Sequence, residues 1–148
     1  MSLEDGYSNP ENSLGKGGPA GSSVSIPEAY ILFWSNFANF RTRANRAEYW
    51  KVFLVNIALY LVLFALGVAG KVSLFLILYF IYALAALVPS LALTVRRLHD
   101  TDRSGGWIFI SLVPLVGSII LIVFLILDST PGPNRFGPPS VAKGISSN

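Results

Sequence analysis

The stretch from Arg96 to Arg103 (RRLHDTDR) gathers most of the residues in this chain that could do chemistry. Arg96 and Asp100 are four apart, as are His99 and Arg103, so on a continued helix each pair shares a face. Arg97 lies between them, and a second polar cluster, Arg43, Arg46 and Glu48, lies upstream. Three readings follow. The arginines can grip an anionic group, such as a lipid headgroup or a phosphate, with two-point guanidinium geometry. His99 with Asp100 can do general acid–base work. Or the charges pair with one another and clamp helix ends together. The catalytic reading is the poorest. Neighbouring residues point about 100° apart on a helix, so His99 and Asp100 are not a ready dyad. No nucleophile with an assignable base and no metal-ligand set accompanies this single histidine. The chain has no cysteine, which removes disulfides and thiolate metal sites. No phosphate-cradling glycine loop or zinc spacing is present either. The sequence therefore calls for no catalytic residue, no cofactor and no metal.

The elements that must position these residues are apolar. Of 148 residues, 53% are hydrophobic and 13% charged, where soluble domains carry roughly 25% charged residues. The excess sits in three long blocks, the pattern of a bilayer protein. The expected fold is an all-α integral membrane protein, with an interfacial helix followed by three transmembrane helices. Residues 1–25 read as a disordered Gly/Ser/Pro tail without the pattern of a cleavable signal peptide. The membrane domain covers 26–139, and 140–148 read as a disordered end. Glu28 to Phe40 is too short to span, and its aromatic content suits a helix at the headgroup level. A helix packed on the rest of the protein is the alternative.

The spans are placed at about 50–70, 72–94 and 107–127. Asn45 and Glu48 resemble a capping box that starts the first helix near Arg46. Trp50 and Lys51 suit interface anchors, and Asn56, inside the span, needs a partner on another helix. On the second span Ala83, Ala86, Ser90, Thr94 and Arg97 share a face. Small residues there allow close helix approach, ending on an arginine. In the third, Pro114 and Gly117 kink or break the helix, and a short re-entrant hairpin is the alternative.

Two spans separate the two basic clusters, so both fall on one side, cytoplasmic by the positive-inside rule. That puts the N-terminus in the cytoplasm. Three spans put the C-terminal tail outside; a re-entrant third segment returns it. The basic balance reads as topology, not as nucleic-acid binding.

Three polar stretches carry a resemblance: Phe40 to Trp50 (FRTRANRAEYW), Arg96 to Ser104 (RRLHDTDRS) and Thr130 to Pro138 (TPGPNRFGP). In this order they resemble the signatures of the bacterial domain-of-unknown-function family 805, YhaH-like small membrane proteins. The resemblance implies a multi-pass protein of the bacterial cell (inner) membrane with no assigned activity. The family pattern has Gly where Thr42 and, often, Asp102 stand here, and a second aromatic at Gly106. The tail motif, with Asn134, Gly137 and Pro138, reads as a fixed turn that docks on the loops.

The leading expectation is a non-enzymatic scaffold or accessory subunit with a cytoplasmic arginine-rich face. Binding or transport of an anionic lipid or small solute comes second, and an interfacial enzyme using His99 third. No apolar span holds an Asp or Glu, which argues against ion-coupled transport. The expected partners are the bilayer, anionic lipid headgroups, and another membrane protein or a second copy.

Overall fold

A computed structural model describes residues 24–140. The two tails expected to be disordered lie, except for Val24, Ser25 and Ser140, outside the described residues. Among the described residues the fold is all helical: α1 (Ile26–Ser35), α2 (Arg46–Val68), α3 (Ser73–Asp100), a 3-10 helix (Gly105–Leu112) and α4 (Val116–Ile126).

Local signals set the boundaries. Ser25, assigned to the tail on sequence grounds, instead caps α1. Its hydroxyl accepts from the Glu28 amide, and Glu28 reaches back to the Ser25 amide, a reciprocal capping box. Pro27 sits in the first turn, where its missing N–H costs nothing. The helix stops at Ser35, short of the expected Phe40, because Asn36 and Asn39 turn the chain. The Asn39 carboxamide oxygen accepts from the Arg41 and Thr42 amides. Asn45 caps α2 by accepting from the Glu48 amide at 2.8 Å. The return half of that expected box is missing, because the Glu48 carboxylate turns to Arg96 instead.

α2 and α3 form an antiparallel pair. With 23 and 28 residues they measure about 35 and 42 Å, against about 30 Å of bilayer hydrocarbon. Both are long and apolar enough to cross a membrane. Only 11% of the most apolar stretch of each is buried within the chain. A core helix of a soluble protein would bury most of that surface; here leucines such as Leu54, Leu61, Leu84 and Leu87 face outward. The pair approaches closely near its turn, where a Cβ on Gly67 would lie 2.5 Å from Leu76 Cγ. Asn56 has the partner it needs: Tyr82 Oη donates to its carboxamide oxygen at 2.5 Å. Tyr82 has then spent its proton, so Tyr30 of α1 donates to Tyr82 at 2.9 Å.

α1 packs across this pair. Ala29 and Phe33 join Val24, Ala44, Val52, Ala86 and Leu93 in the buried apolar core. Ile31, on the opposite face of α1, and Ile26, at its first position, are exposed. Ala86, on the expected small-residue face, is thus consumed inside the chain, with Ala83, Ser90 and Thr94 half-buried around it.

The third apolar block departs from expectation: it is not a spanning helix. An 8-residue 3-10 arm and an 11-residue α-helical arm fold back on each other. The turn at Val113–Leu115 breaks the run, with Pro114 lacking an amide and Leu115 at φ 64°. The arms touch where Gly117 meets Ile110. A Cβ there would lie 1.7 Å from the Ile110 carbonyl oxygen, so only glycine fits. Near the other end Trp107 and Phe124 meet edge to face. The chain therefore leaves α4 at the end of the molecule that carries the arginines.

Candidate functional site

The arginine end is built by four segments: the α1–α2 loop with the start of α2, the last turns of α3, the end of α4, and the tail from Ser129. Helix α3 overshoots the hydrocarbon thickness, which carries Arg96 to Asp100 beyond its most apolar stretch. It stops at Thr101, and the chain then reverses through Asp102 at φ 59°. A left-handed backbone there is one that glycine adopts without strain. Thr42 is not among the positive-φ residues. Its carbonyl and hydroxyl both accept hydrogen bonds, from His99 and from Asn39.

Asp100 is the hub, with its side chain 1% exposed. One carboxylate oxygen accepts from Arg43 Nε at 3.0 Å, the other from Arg97 Nη1 at 2.5 Å and from the Ser129 hydroxyl. Its backbone carbonyl accepts from the Thr130 amide at 2.8 Å.

Arg43 spends every donor it has. A guanidinium carries five N–H bonds in a planar fork. Here they meet Asp100 Oδ1, the Asp100 carbonyl at 3.3 Å, Thr130 O at 2.8 Å, Gly132 O at 2.8 Å and Gly137 O at 3.3 Å. Arg43 thus ties α3 to the tail.

Arg97 does the same for α4. The last carbonyls of a helix lack intrahelical partners and carry partial negative charge. Arg97 Nε donates to Leu125 O at 3.0 Å and Nη2 to Leu127 O. Trp50 adds its indole N–H to Leu125 O at 3.2 Å, and Arg46 reaches Ile126 O at 3.4 Å. Arg46 also pairs with Asp128 on the exposed surface, where ion pairs contribute little.

Glu48 and Arg96 form a second buried pair at 2.8 Å. Ser140 donates to the other Glu48 oxygen at 3.4 Å. Arg96 Nε and Nη2 are buried without a hydrogen-bond partner. They are the unspent donors of the cluster.

The spacing-based pairs are not the ones formed. Asp100 pairs with Arg97 and Arg43, leaving Arg96 to Glu48. His99 and Arg103 part company once the helix stops. His99 stacks on Phe136 with ring centroids 3.9 Å apart and planes 5° from parallel. Its Nδ1–H donates to Thr42 O at 3.2 Å. Arg103 lies over the Phe124 ring at 4.2 Å. His99 and Asp100 therefore hold different neighbours, with no shared proton path between their side chains.

The tail motif docks on this cluster. Asn134 and Gly137 bond each other's amides and carbonyls at 3.0 Å, closing a tight turn. Gly132 and Gly137 take positive φ. The Asn134 carboxamide donates to His99 O at 2.9 Å, and Arg135 pairs with Asp102 outside. Pro138 is exposed. Sequence reasoning missed Ser129, Thr130 and Phe136 as partners. Carbonyl acceptors and a stacking ring leave no spacing signature.

Fold and site together define a helical membrane protein whose charged residues are folded into one end. The family model described as Protein of unknown function (DUF805) matches residues 37–138. The chain belongs to that family. It is 43% identical over 115 residues to the Inner membrane protein YhaH of Escherichia coli (strain K12), covering 74% of this chain and 93% of that one. To the Inner membrane protein YhaI of the same organism it is 39% identical over 108 residues, covering 73% and 91%. No solved structure matches the chain. The matched region contains every residue of the Asp100 network, while α1 precedes it.

Proposed function

We propose that this protein is a non-enzymatic component of the bacterial cytoplasmic membrane, a scaffold or accessory subunit whose arginine-rich end faces the cytoplasm. The observation that carries the reading is the use made of the polar groups. Arg43, Arg97, His99 and Asp100 are buried and spent on the chain's own oxygens and rings. Such a network holds segments in place and leaves no free reacting pair. Arg41, Arg43, Arg46, Lys51, Arg96, Arg97 and Arg103 flank one end of the α2–α3 pair and Lys71 the other. By the positive-inside rule the first end is cytoplasmic. The relatives' designation as inner membrane proteins supports the choice of membrane. On this reading α1 lies along the headgroup boundary with Ile31 toward lipid.

The partner surface is the outward stripe Phe80, Leu84, Leu87 and Leu91 of α3, exposed throughout and spaced to share a face. A photo-crosslinking residue at Leu84, activated in native membranes, should give a discrete adduct with one other membrane protein or a second copy. Adducts with lipid alone at Leu84 and at Leu87 would overturn the scaffold reading.

A second reading, binding of an anionic lipid or solute, is favoured by one observation: the unpartnered Nε and Nη2 of Arg96. Buried guanidinium donors without acceptors are costly and favour an oxygen-bearing ligand. Native mass spectrometry should then show retained anionic lipid in the wild type and its loss in Arg96→Gln. Lipid-free wild-type protein, or equal retention in the variant, removes this reading.

A further inference from the structure

We propose that Gly105–Ile126 is a re-entrant membrane hairpin. It enters the bilayer from the arginine side, turns at Val113–Leu115 among the acyl chains near the midplane, and leaves by the side it entered. The occupant of its exposed apolar apex is the hydrocarbon of a single leaflet. The proposal rests on α2 and α3 crossing the membrane, as in the functional reading above, and not on the scaffold role.

Length is the first argument. The 3-10 arm of 8 residues rises about 16 Å at about 2.0 Å per residue. The 11 residues of α4 rise about 16 Å at about 1.5 Å per residue. Half of a hydrocarbon core about 30 Å thick is about 15 Å. Each arm therefore reaches the midplane, and neither can cross.

Anchoring is the second. The entrance follows directly on Asp100–Ser104, and a Cβ on Gly105 would lie 2.7 Å from Val95 of α3. The exit is held by Arg97 and Trp50 on Leu125 O, and by Ser129 on Asp100. Both ends of the hairpin are thus fixed at one end of the molecule.

Surface chemistry is the third. Leu112 and Leu115 at the apex are 77% and 76% exposed. Phe109, Val116 and Ile119 are exposed too. No charged residue occurs between Gly105 and Ile126. A helix lying on the surface keeps a charged face toward water; this segment has none to offer. The 3-10 arm's serine, Ser111, gives its hydroxyl to Ile108 O at 2.7 Å.

Backbone satisfaction is the fourth. Irregular backbone is tolerated at membrane depth only when its polar groups are satisfied within the protein. Here the Val113 amide bonds Ile110 O, Val116 bonds Pro114 O, Gly117 bonds Val113 O and Ile119 bonds Leu115 O. Pro114 has no amide to satisfy. The turn therefore enters hydrocarbon with its polar groups largely spent.

The chain contains no cysteine, so single cysteines report position cleanly. Lys71→Cys, Gly106→Cys, Leu115→Cys and Pro133→Cys, made in the full chain, are exposed to a membrane-impermeant maleimide in sealed vesicles of both orientations. Gly106→Cys and Pro133→Cys should label from one side and Lys71→Cys from the other. Leu115→Cys should label from neither until detergent is added. Pro133→Cys labelling on the Lys71 side would show a full crossing and overturn the hairpin. Leu115→Cys labelling in sealed vesicles would place the apex in water and overturn it as well. If instead Gly106→Cys and Lys71→Cys share a side, α3 does not cross, and the membrane reading itself fails. A bimane on Leu115→Cys, in vesicles of phosphatidylcholine brominated along the acyl chain, should lose its fluorescence to quenching. An unquenched apex would show that protein covers it, a second copy included. Leu112→Cys serves the same tests should Leu115→Cys fail to accumulate.

Discussion

Along the shaft of α2 and α3 the chain turns its leucines outward; at the arginine end it turns its charges inward. Leu61 is 64% exposed while Arg97 is 0% exposed. A soluble protein does the reverse in both places. The shaft borrows its stability from the surrounding hydrocarbon, since its apolar side chains have little protein around them. The arginine end leans on its own chain, where the buried side-chain donors other than Arg96 Nε and Nη2 find acceptors. One end can therefore be damaged by single substitutions, while the shaft tolerates them.

The largest effect should come from Asp100→Ala. It strands the guanidiniums of Arg43 and Arg97 with no countercharge. Removing one partner of a buried ion pair costs about 3–5 kcal/mol. Thermal unfolding in detergent should show the loss, or the variant should fail to accumulate; wild-type melting would break the contrast. Next comes Arg43→Lys. It keeps the charge but offers three donors where five are used, leaving acceptors unmet at about 2–3 kcal/mol in all. Proteolysis of the tail after Asp128 should accelerate in this variant, and unchanged cleavage would show that Arg43 does not hold the tail. The smallest effect belongs to Leu61→Ala. It removes outward surface only, so stability should stay within about 0.5 kcal/mol of wild type. A loss near the roughly 2–5 kcal/mol of a core leucine would show that protein packs on that face.

The two long apolar helices were legible from the sequence because length and apolarity decide them, and Asn45 marked the start of α2. The third block reads as a kinked span or a re-entrant hairpin, and the sequence does not choose between them. Its length fits a span, and hydropathy does not register direction. Pro114 and Gly117 flagged the break, but only the close approach of Ile110 to Gly117 shows that the chain doubles back. The clusters at Arg43–Glu48 and Arg96–Arg103 were legible as an address. Their pairings were not. Spacing of four favoured Arg96 with Asp100, yet Glu48 arrives from another helix, and Asp102 ends the face that would have joined His99 to Arg103. Arg43 could not be matched to Thr130, Gly132 and Gly137, since any residue supplies a backbone carbonyl.

That long reach has a consequence in time. The oxygens of Thr130 and Gly137 that Arg43 grips lie 87 and 94 residues further along the chain. At about 5–20 residues per second of synthesis, a nascent Arg43 waits on the order of 4–20 s for them. Both long apolar helices are already made by then. The tail is thus the keystone of the assembly, set last, and a ribosome that stalls before Thr130 leaves a protein inserted but unlocked.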